Sequence, residues 1–169
     1  MRHHALHSTL LAAAMALAVL TAGASPVWAQ AARGAEARVI ERAIRLLPAR
    51  PDVPVRMIDP ELAPDPGAIR RLDAFMVREP DGKVRRVIYL NRRAAIVDNA
   101  MTGQDLHVAI LAAVIHHELA HLQGAGEPEA RRSEREFFQS LVFGGRVPVD
   151  LGMRYLGDLE QDRQLREGQ

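Results

Sequence analysis

The 169-residue chain has no cysteine. That excludes a disulfide framework and a lipid-anchoring cysteine behind a leader, so stability must come from packing and from any bound metal. An uninterrupted apolar run of the roughly 20 residues needed to span a bilayer is also missing, the nearest approach being the block from Leu10 to Leu20. Neither sign of charge dominates: 22 basic residues face 21 acidic ones. The arginine pairs Arg70-Arg71, Arg85-Arg86 and Arg131-Arg132 alternate with acids and apolar residues, the pattern of solvated faces rather than of a nucleic-acid footprint. Internal repeats and low-complexity tracts are absent too.

The chain opens with Met1-Arg2, passes through the apolar block and reaches Val27-Trp28-Ala29 before Gln30. This order of basic start, short apolar centre and small-residue cleavage pattern predicts a secretory signal peptide over residues 1–29. The expected product is a single exported domain, residues 30–169, periplasmic or secreted, with no stable membrane span after cleavage and one hydrophobic core. His3, His4 and His7 leave with the signal, and the loss of Arg2 leaves 21 basic residues against 21 acidic.

Beyond the signal, Val39, Ile40, Ala43, Ile44 and Leu47 recur at helical spacing, predicting an amphipathic helix over Glu36 to Leu47. Pro48, Pro51 and Pro54 stop it, Val55 to Ile58 reads as a short strand, and Pro60 to Gly67 as a loop. Two β-rich runs, Ala74 to Val77 and Val84 to Leu90, flank the turn Glu79 to Lys83 and predict a β-hairpin. Thr102, with Asp105 three residues on, is the expected N-cap of a long helix from about Gly103 to Gln123, closed by Gly124. A second helix from Glu127-Pro128 to about Val142 returns beside it, and Val149 to Gln164 predicts a terminal helix that buries Leu151, Tyr155, Leu156 and Leu159. The fold class is therefore α+β: a small antiparallel sheet, then a long helix, a returning helix and a C-terminal helix.

The long helix ends in His117-Glu118-Leu119-Ala120-His121. Histidines four apart on a helix differ by about 40° in azimuth and about 6 Å in rise, so both imidazoles can reach one metal ion. Glu118 projects beside them as the candidate base for an activated water. In a chain of this composition the pattern arises by chance at roughly 1–2%. Its setting strengthens it, because Leu106 to Ile115 is apolar on nearly every side, as in a buried helix that delivers a polar end to a cleft. His107, ten residues before His117, lies about 15 Å along the axis, beyond the same metal, and is expected to face solvent. His116 is expected to point away from the metal. A catalytic zinc takes three protein ligands, and Glu127, Glu129 and Glu134 compete for the third place. The reversal Gly124-Ala125-Gly126 favours Glu127, since it lets the chain double back towards His121.

His117-Glu118-Leu119-Ala120-His121 followed by Glu127-Pro128-Glu129-Ala130 resembles the gluzincin metallopeptidases, in which a glutamate shortly before an alanine on the next helix is the third ligand. The resemblance covers about Leu106 to Val142 and implies Glu127 as that ligand. The acid or amide usual after the alanine is replaced by Arg131, and Glu134, one turn on, is the available substitute as the outer partner of a histidine. The run from His117 to Glu127 also resembles the metzincin spacing, with Gly124 at the turn and Met153-Arg154-Tyr155 in the place of a methionine turn. The helical pattern after Pro128 ranks that second.

What the first resemblance implies is an exported zinc-dependent metallopeptidase. His117, His121 and Glu127 would hold Zn²⁺, Glu118 would be the base, Tyr155 or Arg154 the oxyanion donor, and the partner a peptide or protein substrate lying beside the sheet edge near Tyr89 to Asn91. Two other classes fit the same residues: an exported, non-catalytic zinc-binding or assembly factor, and a metal-free helical interaction domain.

Overall fold

A computed structural model of the chain describes residues 27–63, 65–77, 79 and 81–167, with side chains from 33 to 160. Most of the predicted signal, residues 1–26, lies outside the described residues. Two compact units are distinguished, Met1–Ala35 and Glu36–Gln169. The sheet, the candidate site and all helices after residue 45 belong to the second.

Helix α1 spans Val27–Ile44, so it starts nine residues before the predicted Glu36 and passes without interruption through the expected cleavage point after Ala29. Alanines at 29, 31, 32, 35 and 37 make that extension favourable. The helix stops short of Pro48, and Leu46 and Leu47 close it with turn bonds to the carbonyls of Ala43 and Ile44. Val39 and Ala43 are buried along its inner face, and Leu47 in the turn that follows.

Strand β1 is Val55–Ile58, as the sequence predicts. The segment expected to be a loop holds a 3₁₀ turn, Pro60–Leu62, capped by the Asp59 carboxylate, and a single helical turn α2, Pro66–Ile69, capped by Asp65. Strands β2 (Ala74–Phe75) and β3 (Ile88–Asn91) complete a three-stranded sheet in the order β1-β3-β2. The fold is thus α+β, but the sheet is mixed rather than antiparallel. β2 and β3 form the expected hairpin, with Ala74 opposite Leu90, whereas β1 joins the other side of β3 in parallel, with Val55 opposite Ile88. Ile88 and Leu90 are fully buried, which suits a central strand paired on both sides. The hairpin ladder is shorter than the two β-rich runs. Val87 N–H turns back to the Arg85 carbonyl at 2.8 Å and breaks the extended pairing there.

The segment after β3 forms a helix absent from the sequence reading, α3 (Ala95–Met101). Thr102 closes α3 instead of opening the next helix, its hydroxyl donating to the Asn99 carbonyl at 2.7 Å. Gly103, at φ +78°, makes the reversal, and α4 runs Asp105–Leu122. Val108, Ala109, Leu111, Ala112, Ala113 and Ile115 are all buried, so α4 is the axis around which the sheet, α3 and the next helix pack. Gly124, at φ +95°, turns the chain into α5 (Glu127–Phe143), and α6 (Val149–Glu167) follows. On α6 Leu156 is buried and Tyr155 and Leu159 half-buried, but Leu151, expected in the core, is exposed. Among the described residues no helix is long and apolar enough to cross a membrane.

Helices α5 and α6 touch at Gly152, where a Cβ would overlap the Val142 side chain; around Gly157 there is open space. The two glycines should therefore respond oppositely to alanine. Gly152→Ala is expected to destabilise by about 1–3 kcal/mol through overpacking, and Gly157→Ala to stabilise by about 0.5–1 kcal/mol through helix propensity. Urea unfolding midpoints check both, and equal shifts would rule out the α5–α6 contact at Gly152.

Candidate metal centre

The last two turns of α4 carry His117, Glu118 and His121 into a cleft of about 790 Å³. The short reversal through Gly124 brings the first turn of α5 back over them, and with it Glu127. His121 Nε2 lies 3.1 Å from His117 Nε2 and 3.2 Å from Glu127 Oε2, while His117 Nε2 lies 3.7 Å from the same oxygen. A tetrahedral site with bonds of about 2.0–2.1 Å has ligand-to-ligand edges of about 3.3 Å, and these three separations bracket that value.

The outward-facing atoms fix which nitrogens hold hydrogen. His121 Nδ1 is 3.0 Å from the Ala125 carbonyl, which can only accept, so Nδ1 donates and Nε2 keeps a lone pair in the neutral ring. His117 Nδ1 donates to Glu134 Oε2 at 3.1 Å, with the same result. Two imidazole lone pairs and a carboxylate oxygen then face one point with no hydrogen between them. That arrangement is repulsive by itself and favourable around a cation. His117, His121 and Glu127 thus form a donor set that fits a metal ion, with ligand atoms all within 4.8 Å of one another.

Arg131 donates to Glu127 Oε1 at 2.6 Å and leaves Oε2 to the shared point. Burial works against ionisation of Glu127, but Arg131 and the two histidines outweigh it and hold the carboxyl below its usual range. Burial likewise disfavours charge on His117, yet its bond to Glu134 and the nearby acids raise its affinity for positive charge overall. For Glu118 burial dominates and pushes the carboxyl upwards despite both histidines. It is a nearly buried carboxyl beside the donor set, able to take and release a proton.

Of the alternative third ligands, neither Glu129 nor Glu134 shares the common point. Glu129 is exposed and folds back over Gly126. Glu134 is buried and stands behind His117, taking the outer-partner position, while the Tyr155 hydroxyl reaches its other oxygen at 3.5 Å. Burial and the negative charges of Glu134 and Asp73 drive the Tyr155 phenol far above its ordinary value, so it stays protonated. Arg154 is exposed and does not line the cleft. His116 faces the other side of α4, stacked on Phe137 at 4.6 Å with Ser133 Oγ 3.3 Å from its Nδ1.

Two expectations are corrected. His107 does not face solvent: it lines the cleft on the same face of α4 as Ile110, Val114 and His117, the i, i+3, i+7, i+10 repeat of one helical stripe. The edge bordering the cleft is β2, with Asp73, Ala74 and Phe75, because Tyr89 to Asn91 belong to the central strand. Buried Asn91 still shapes that edge, its amide donating to the Ile69 and Leu72 carbonyls at 3.2 and 2.9 Å just ahead of Asp73. Sequence reasoning missed Arg131 as a partner of Glu127, although the four-residue spacing was a usable signal. It also missed Asp73, Asn99 and Asp158, cleft residues that only tertiary packing brings to α4.

No protein-family model, curated protein or solved structure matches the chain.

The two alternative glutamates separate in one titration. Glu134→Gln is expected to weaken divalent-metal binding by about 10- to 100-fold through loss of the outer partner of His117. Glu129→Gln should leave it unchanged, as read by competition with a chromophoric chelator. A loss as large for Glu129→Gln would move the third ligand.

Proposed function

We propose that the protein is a zinc-dependent metallopeptidase of gluzincin type, in which His117, His121 and Glu127 hold the ion. The observation that carries this reading is the convergence of three hydrogen-free donor atoms, at 3.1, 3.2 and 3.7 Å, beside the nearly buried Glu118 in an open cleft. Zinc, when bound, supplies a Lewis acid that polarises a carbonyl and makes water easier to deprotonate.

The chain's own residues do the rest. Glu118 accepts the proton of the attacking water and returns it to the leaving amine, so that a peptide bond and a water become a carboxylate and an amine. Burial, which raises its carboxyl, suits it to both halves of that exchange. Glu134 orients His117, and Arg131 holds the outer oxygen of Glu127. The protonated Tyr155 hydroxyl, whose hydrogen rests on Glu134 at 3.5 Å, is the proposed donor for charge developing on the scissile oxygen once it turns from Glu134, in preference to the exposed Arg154. An extended substrate is proposed to pair with the free edge of β2, where Asp73 to Phe75 border the cleft.

Export is part of the same proposal. It rests on the apolar block and the Val27-Trp28-Ala29 pattern, with α1 shortened to begin at Gln30 after cleavage. Elemental analysis is expected to find about one zinc per chain, and chelator should abolish cleavage of a peptide library. Glu118→Gln should keep the zinc and lose at least about 100-fold in turnover. Turnover that survives this change would remove Glu118 as the base, and a wild-type chain that takes up no zinc would remove the peptidase.

A further inference from the structure

Charge is divided unevenly along the cleft. Its charged residues, among them Asp73, Glu118, Arg131 and Asp158, gather with the metal group, β2, α5 and α6. The walls supplied by α3 and by α4 up to Val114 are Ala95, Ile96, Asn99, His107, Ile110 and Val114, and carry no carboxylate, lysine or arginine. Into this uncharged part projects an imidazole with an unusual constraint. His107 Nδ1 is buried without a hydrogen-bond partner, the single such side-chain atom among the described residues. A hydrogen there would be an orphan donor costing the desolvation of an N–H group, so the neutral ring carries its hydrogen on Nε2. The ring then offers the cleft a fixed N–H donor, about 15 Å along the axis from His117.

From this we infer that the α3–α4 part of the cleft is a side-chain subsite for a large apolar residue bearing a neutral hydrogen-bond acceptor at its tip, tyrosine being the best match. The inference rests on the peptidase reading for its place in a reaction, but the pocket and its ligand class stand on the residues just named. Ile96, Ile110 and Val114 bury the body of the side chain, and His107 Nε2–H donates to the tip oxygen, with the Asn99 amide as a second polar group on the same wall. A charged side chain would lose hydration here with no opposite charge on these walls themselves.

The test uses N-acetyl-tyrosinamide, N-acetyl-phenylalaninamide and N-acetyl-lysinamide as probes. They are titrated into the full chain while the ring signal of His107 and the methyl signals of Ile96, Ile110 and Val114 are followed by NMR. The tyrosine probe should move all four and bind about three- to tenfold more tightly than the phenylalanine probe, the effect of one net hydrogen bond. The lysine probe should move none. In His107→Leu the tyrosine preference should vanish with the methyl shifts retained, and His107→Gln, which keeps a donor, should restore part of it. Unmoved signals with the tyrosine probe, or equal binding of the lysine probe, would overturn the subsite. Shifts as expected without cleavage of any peptide would keep the pocket and remove the peptidase. Cleavage blind to tyrosine, with His107 unmoved, would do the reverse.

Discussion

Everything at the candidate centre depends on where two imidazoles send their Nδ1 hydrogens. One goes to a backbone carbonyl, Ala125, and the other to a buried carboxylate, Glu134. Each outward bond fixes a ring and turns a lone pair inward, and the geometry of the donor set follows. The Ala125 bond exists because the chain reverses within three residues of His121, and the Glu134 bond because α5 lies along α4 closely enough for a side chain two turns into it to reach back. Both conditions are met by the packing of a single helix pair. The fold around that pair buries most of α4 ahead of His117, and His117, Glu118 and His121 meet the cleft at its end.

The elements that carry the candidate ligands were the legible part of the sequence. α4 is apolar on nearly every side from Leu106 to Ile115 and α5 shows a clear inner face, so their existence, their order and the glycine reversal between them could be read from periodicity and turn chemistry. His117, Glu118 and His121 followed from spacing alone, and Glu127 from the turn. The boundaries were less so. Thr102 has the chemistry of an N-cap and serves instead at the end of α3, because Gly103 takes the turn and leaves Gln104 to start α4.

The sheet and the cleft walls were legible only in part, for a physical reason. Whether β1 joins a sheet, and in which direction, is decided by contacts far apart in sequence, which local pattern does not encode. The stripe His107, Ile110, Val114 was present in the sequence, but which neighbours would leave it open was settled by α3, and the short run Ala95 to Met101 gave no distinct helical signal. Arg131, which stands where the resemblance places an acid or amide, holds the outer oxygen of Glu127.

The short reversal between α4 and α5 has a consequence for how the protein can change. His117 and Glu134 stand 17 positions apart, and the other two candidate ligands lie between them. A cation shared by these residues closes a loop of local sequence, at small entropic cost and independently of the slow, long-range strand pairing. The walls come in part from segments far outside that stretch, α3, β2 and α6, and in part from His107, Ile110 and Val114 earlier on α4 itself. The donor atoms and much of the wall are thereby held on separate pieces of chain, and α3, β2 and α6 can vary without moving the donors. Substitutions in those surrounding segments could reshape the cleft while the donor set of the hairpin stayed as it was.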